Sequence, residues 1–259
     1  MTTCLFRHYE NKELCSKLNP AYIGLHGFNG DGGRVANAKI PKDYRGVLVK
    51  DSPVRSKQEE IYRTLDAYIK SFDKQFSDIK DDLFRQGKTE DEIRIKSLYL
   101  WSESPGTGKT TTSVAVLNEY LLKHFVGSVE RGITPKQRPA YFLDVNLLEA
   151  DYYTFNRPKV PEDIAEPASR RYYKAIEKAK FTDFVVCDDI GVRDATEGFR
   201  GDLHSVINHR VTNMLPTIYT SNNPIEQLPD IYGEQRLADR IRDMCLPIHF
   251  KGGSSRGAR

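Results

Sequence analysis

The sequence predicts an α/β protein, a three-layer core in which helices cover both faces of a parallel sheet, preceded by a small N-terminal arm. Three observations predict it. Short apolar runs alternate with helical patterns from residue 95 onward, as expected of strands buried on both faces. One run leads directly into a glycine-rich phosphate-binding loop that opens a helix. Another ends in two aspartates, placing carboxylates at the C-terminal edge of the sheet, where open α/β folds bind ligands. The chain of 259 residues has the length of one sizeable domain with an appendage.

Residues 1–44 are rich in Gly, Asn and Lys, carry the turn-forming run Gly27–Gly33 and show weak periodicity, so they are read as the arm. Ser56-Lys-Gln-Glu59 has the form of a capping box and opens a helix bearing Ile61, Leu65, Tyr68 and Phe72. Residues 75–94 are charged, and Gln86-Gly-Lys-Thr-Glu-Asp91 reads as a helix stop and restart. A strand over 97–101 follows. The helix after the glycine-rich loop sets Val114, Leu117, Leu121 and Phe125 on one face. Ala140–Val145 reads as a strand, 163–180 as a charged helix and Phe184–Cys187 as a strand. A helix over 199–213 turns Leu203, Val206, Ile207 and Val211 inward, and Thr217–Thr220 is a further strand. No internal repeat appears. The tail Lys251–Arg259 leaves no room for a helical subdomain.

Composition narrows the class. Apolar residues make up 39% and charged residues 29%, as in soluble globular proteins. A net charge of +3 permits nucleic-acid binding without requiring it. No apolar run approaches a membrane span, and the first residues lack the form of a signal peptide, which predicts a cytoplasmic protein. The four cysteines are scattered, which argues against a disulfide framework. Cys4, His8, Cys15 and His26 are of zinc-ligand type, but their spacing lacks the short C-x₂₋₄-C knuckle, so packed or surface thiols are the favoured reading.

The chemistry centres on Pro105-Gly106-Thr107-Gly108-Lys109-Thr110-Thr111-Thr112. Gly106 and Gly108 let backbone N–H groups curl round a phosphate. Lys109 supplies a point charge toward the β/γ oxygens, Thr110 a hydroxyl ligand for Mg²⁺, and the helix N-terminus a partial positive charge. Glu103 stands where the full pattern opens with glycine, and a carboxylate there suits a triphosphate only if it points away. In Phe184-Val-Val-Cys-Asp188-Asp189, Asp188 is the candidate for the Mg²⁺ shell and Asp189 for polarising the attacking water. At the end of the Thr217–Thr220 strand, Asn222 is the first candidate, and Thr220 the second, to hydrogen-bond that water or the terminal phosphate. Arg236 and Arg240 lie one helical turn apart, with Leu237, Ile241 and Met244 facing inward. Two such arginines repel, and a neighbouring subunit's phosphate would rationalise them, making Arg240 a candidate trans-acting arginine. Each feature also has a plainer reading: an Asp-rich turn, an Asn-Pro turn, or a solvated helix face paired to Asp239 and Asp243.

Taken in order, Pro105-Gly-Thr-Gly-Lys-Thr-Thr, Val186-Cys-Asp-Asp-Ile-Gly191, Thr220-Ser-Asn222, Arg236-Leu-Ala-Asp-Arg-Ile and Gly253-Ser-Ser-Arg256 resemble the AAA+ ATPases. The nearer likeness is to the DnaC/DnaI-type replicative helicase loaders, including phage-encoded versions, over residues 45–259. The resemblance implies an AAA+ core that binds ATP and Mg²⁺, with a reduced or absent C-terminal lid. Its parts would be Walker A, Walker B, a sensor at Asn222, an arginine-finger helix, and a sensor-2-like arginine at Arg256. It also implies that Asp51–Val54 lie near the adenine and that residues 1–44 form a partner-binding segment. The implied work is loading a hexameric helicase onto single-stranded DNA by a self-associating ring or helix. Walker B ends here in Asp-Asp where many members have Asp-Glu. Candidate DNA contacts are Tyr152, Tyr153, Phe155, Asn156, Arg157 and Lys159, and Arg170, Arg171, Tyr172, Tyr173 and Lys174, mixtures of base and aromatic that also fit core packing. A transposition-regulator ATPase acting on duplex DNA shares these motifs. A small-molecule kinase or a nucleotide-gated adaptor shares the phosphate loop.

Overall fold

The computed structural model describes residues 4–77, 79–191, 195–232 and 235–254. The chain is of the α/β class and divides into two compact units, Met1–Ile95 with Thr110–Tyr141, and Lys96–Lys109 with Phe142–Arg259.

In the first unit, short helices α1 (Pro20–His26) and α2 (Gly33–Asn37) are followed by α3 (Glu59–Phe76), α4 (Ile79–Arg85) and α5 (Glu90–Ile93), and by the body of α6 (Lys109–Glu130). Asn19 caps α1 by accepting the Ala21 N–H at 2.8 Å, with Pro20 in the first turn, where its missing N–H costs nothing. The capping box read at Ser56–Glu59 does not form: Arg55–Lys57 make a 3₁₀ turn and α3 starts at Glu59 with no side-chain cap. Tyr62, Leu65, Phe72 and Phe76 of α3 are buried, and Phe72 and Phe76 meet Tyr120 of α6 edge-on at 5.4 and 5.1 Å. At Gly127 a Cβ would stand 2.2 Å from the Phe76 carbonyl oxygen, so only glycine lets these helices approach so closely. Residues 4–44 contribute Leu5, Phe6, Leu25 and Val35 to the buried side chains of this unit, and Phe6 meets Phe125 of α6 edge-on at 6.1 Å. Arg34, also buried, donates to the Pro135 and Lys136 carbonyls and lies over the Phe125 ring.

The chain forms a five-stranded all-parallel sheet, whose residues belong to the second unit except for Ala140 and Tyr141. Its strands are β1 (Ser97–Trp101), β2 (Ala140–Asp144), β3 (Phe184–Asp188), β4 (Thr217–Ser221) and β5 (Cys245–His249), in the order β2-β3-β4-β1-β5. Leu98 faces Ile218 across β1 and β4, Val185 faces Thr217 across β3 and β4, and Ser97 faces Cys245 across β1 and β5. The helices are α7 (Val145–Asn156), α8 (Glu162–Phe181), α9 (Glu197–Thr212), α10 (Leu228–Tyr232) and α11 (Gln235–Met244). The order sets β1, which feeds the phosphate loop, directly beside β4, and β4 beside β3. The three strand ends that carry candidate residues are therefore neighbours. Arg210 lies wholly buried at the opposite edge, donating to the carbonyls of Ala179, Thr182, Asp183 and Pro216 and to the Thr217 hydroxyl. No helix among the described residues is long and apolar enough to cross a membrane.

Candidate nucleotide-binding site

The Ser102 N–H bonds the Ser221 carbonyl at 3.3 Å, carrying the β1–β4 ladder to the lip of the loop. The loop then turns through Gly106 at φ 75° and Gly108 at φ 103°, conformations that side chains resist, before Lys109 opens α6. Glu103 and Pro105 are exposed, so the carboxylate at the irregular position of the motif is solvated. Thr107 is buried and its Oγ1 has no hydrogen-bond partner. The Lys109 side chain is 8% exposed, and its Nζ donates to Asn222 Oδ1 at 2.8 Å and to the Ser104 carbonyl at 3.4 Å.

Behind the lysine stand the acids. Thr220 Oγ1 accepts the Asp189 backbone N–H at 2.8 Å and donates to Asp188 Oδ1 at 2.7 Å, so one hydroxyl orders both aspartates. Asp189 has φ 61°, a left-handed conformation that Asp tolerates better than most residues with side chains. Its carboxylate accepts from Asn146 Nδ2 at 3.0 Å, and Asn222 Nδ2 stands 3.5 Å from Oδ1. Asn222 thus bridges the cation of the loop to the second acid. At Gly191 a Cβ would stand 2.7 Å from Asn223 Nδ2 and 2.8 Å from Ser221 Oγ, so a side chain there would have to displace both.

The loop geometry fits a phosphate group. Two positive-φ glycines, a helix start, a buried ammonium and an unpartnered buried hydroxyl converge on one turn. The hydroxyl of Thr110 and the carboxylate of Asp188 are hard oxygen donors of the kind Mg²⁺ takes. Thr110 and Thr111 stand in the first turn of α6, half-buried.

On α11, Leu237, Ala238 and Ile241 are buried while Arg236 and Arg240 are exposed. Met244 is only half-buried. Asp239 is taken by Gln235 at 3.0 Å and Arg242 at 2.8 Å, and neither Arg236 nor Arg240 makes an ion pair among the described residues. Arg256 lies outside the described residues.

No protein-family model matches the chain. It is 24% identical over 144 residues to the replicative helicase loader DnaC of Escherichia coli strain K12, and equally to that of Shigella flexneri. The match takes in 56% of this chain and 49% of the relative. The chain therefore spans about half the length of the curated relatives it matches. Its fold is similar to the crystal structure of DnaI, with TM-score 0.55 and 18% identity over 86% of this chain and all of that one. The crystal structure of the DnaC helicase loader gives TM-score 0.52 and 19% identity over 82% of this chain and all of that one. In sequence and in fold, the chain is similar to the DnaC/DnaI-type helicase loaders.

Of the candidates read from the sequence, the fold brings Lys109, the acid pair and Asn222 together. The sequence ranked Thr220 below Asn222 and missed Asn146 altogether. Its signal was slight, a polar residue directly after an apolar strand. The aromatic candidates for DNA divide. Tyr172 is wholly buried and donates to Asp202 at 2.7 Å, while Tyr152 and Phe155 pack against it at 5.4 and 5.3 Å. Arg170 pairs with Glu166 and Arg171 with Asp151, whereas Tyr173, Asn156, Arg157, Lys159 and Lys174 are exposed. Among the described residues no group of three or more ligand-type side chains could hold a metal ion. His8 engages Asp51 at 2.9 Å, and buried His26 accepts the Leu5 N–H at 3.1 Å. Asp51 and Ser52, from the segment expected near an adenine, line a cavity of about 560 Å³ in the first unit with Arg55, Glu59 and Arg63.

Proposed function

We propose that the chain is an ATP-dependent loader of a hexameric replicative helicase onto single-stranded DNA. The observation that carries this reading is the polar chain from Lys109 through Asn222 to Asp189, closed by Thr220 on Asp188, within a DnaC/DnaI-type AAA+ fold. Residues 105–111 would bind the phosphates, with Lys109 giving up its bond to Asn222 for phosphate oxygens. Thr110 and Asp188 would hold Mg²⁺, which when bound neutralises charge on those oxygens. Asp189, steadied by Asn146, would accept the proton of the attacking water, and Asn222, released from Lys109, would orient that water. Arg240, with Arg236 beside it, would reach the phosphate of a neighbouring subunit, and Arg256 would act as the second sensor. Turnover would then depend on self-association into a ring or helix. Residues 1–44 would engage the helicase, residues 45–259 would be the ATPase core, and the work would take place in the bacterial cytoplasm.

The test is capture of native partners with and without ATP, followed by helicase loading on single-stranded DNA. A hexameric helicase retained by the chain, and loaded only when Lys109 is intact, is the expected result. ATP-dependent filaments on duplex DNA without helicase affinity would instead mark a transposition regulator. ADP formation that requires a small acceptor would mark a kinase, and loading without any turnover would mark a nucleotide-gated adaptor.

A further inference from the structure

A tyrosine joins the acid segment to α10, the helix that precedes the arginine helix. Ile190, next to Asp189, is wholly buried, and its N–H bonds the Thr220 carbonyl at 2.9 Å. Gly191 lies close against Ser221 and Asn223. The Tyr232 hydroxyl donates to the Ile190 carbonyl. Tyr232 ends α10, a helix of five residues that is too short to be stable without tertiary ties. The described ties of α10 are few: buried Leu228, a bond from Arg200 to the Ile231 carbonyl at 3.4 Å, and the Tyr232 hydroxyl. It packs on α11, which also rests on α9 and β5 and presents Arg240 to solvent.

We propose that Tyr232 is a positioning residue for Arg240, using the carbonyl beside the acids as the anchor that sets α10 against α11. The idea rests on the trans-arginine reading above. Arg240 serves a neighbour's nucleotide, so losing the hydroxyl impairs the donor subunit and spares the subunit that receives the arginine.

Mixed assemblies separate these roles. Asp189→Asn supplies a subunit with an intact arginine and no hydrolysis, and Arg240→Ala supplies one with an intact acid pair and no arginine. Mixing the two restores turnover at the interface between them. Adding Tyr232→Phe to the Asp189→Asn donor is expected to lower that restored turnover about five-fold, the scale of one lost hydrogen bond. Adding it to the Arg240→Ala acceptor is expected to leave it unchanged. Phenylalanine keeps the ring, and equal melting temperatures with and without the change verify that the fold is kept. A loss that follows the acceptor, or no loss in either mixture, overturns the proposal. No restored turnover in the parent mixture overturns the trans-arginine reading and this inference with it.

Discussion

The Lys109 ammonium donates to Asn222 Oδ1 at 2.8 Å, so the cation of the phosphate loop and the amide beyond β4 form one polar unit. Lys109 is buried and carries the charge that a phosphate would meet, whereas Asn222 touches the acid side as well. The two substitutions should therefore separate. Lys109→Ala should abolish binding of a fluorescent ATP analogue. Asn222→Ala should keep binding within a few-fold and lower turnover about 10²-fold. Equal loss of binding in both variants would show that Asn222 serves the loop alone.

Thr220 ties Asp188 to the backbone of Asp189 through one oxygen. Thr220→Val keeps the shape and removes both bonds, leaving a part-buried N–H without its acceptor at a cost of about 1–3 kcal/mol. Turnover at saturating ATP should fall while ATP affinity in the absence of Mg²⁺ stays near that of the parent. Thr220→Ser, which keeps the hydroxyl, should recover most of the loss. A serine variant as slow as the valine one would argue for packing of the methyl group instead.

How much of this the sequence could tell follows from where each signal lies. Leu98–Trp101, Phe184–Cys187 and Thr217–Thr220 were legible because strands of a buried parallel sheet are contiguous apolar runs. β5 escaped: Leu246 and His249 are exposed, and Pro247, which has no N–H for a ladder, marks a strand at the sheet edge. α7 escaped because it follows β2 without a loop, its start set by the Asp144 side chain accepting the Leu147 N–H at 2.9 Å. The site motifs were legible because each follows a strand end. The Asn146–Asp189 and Tyr232–Ile190 contacts were not, since each joins residues more than forty positions apart that only the fold brings together.

Acid should act on the N-terminal residues through His26. Burial depresses its ionisation from the ordinary 6.5 to about 4, so the folded chain refuses a proton that the unfolded chain takes up. The stability held by the neutral ring is full above pH 6.5 and is lost as pH falls from there toward 4, by about 3 kcal/mol in all. His26→Gln offers an oxygen in place of Nε2 for the Leu5 N–H and does not titrate. Melting temperatures at pH 7.5, 6 and 5 should fall more steeply for the parent than for this variant. Parallel curves would refute the assignment.

Arg210 gathers the ends of α8 and α9 and the starts of β3 and β4 through carbonyl oxygens rather than through solvent. Its planar fork reaches acceptors in several directions, which a lysine ammonium on a flexible stem does not. Arg210→Met should destabilise the chain by about 3–5 kcal/mol, and Arg210→Lys should recover little of it. Urea unfolding of the two variants measures both. A lysine variant as stable as the parent would mean that charge matters here and fork geometry does not.

Arg240 is exposed on α11 beside Arg236, while the acidic residue between them, Asp239, is engaged by Gln235 and Arg242. A helix face that keeps two cations without neutralising them from its own surface is poorly arranged for stability, but well arranged to meet an anion on another molecule. Arg240→Ala should leave the melting temperature within a degree or two and ATP binding by the monomer unchanged. What should disappear is the rise of turnover per subunit with protein concentration, which on the proposed reading needs a neighbour's arginine at the phosphates. Arg240→Lys keeps the charge and loses the fork, and should recover only a small part of that activity. If Arg240→Ala retains full concentration-dependent turnover, the finger must be sought on another residue, with Arg236 the next to test.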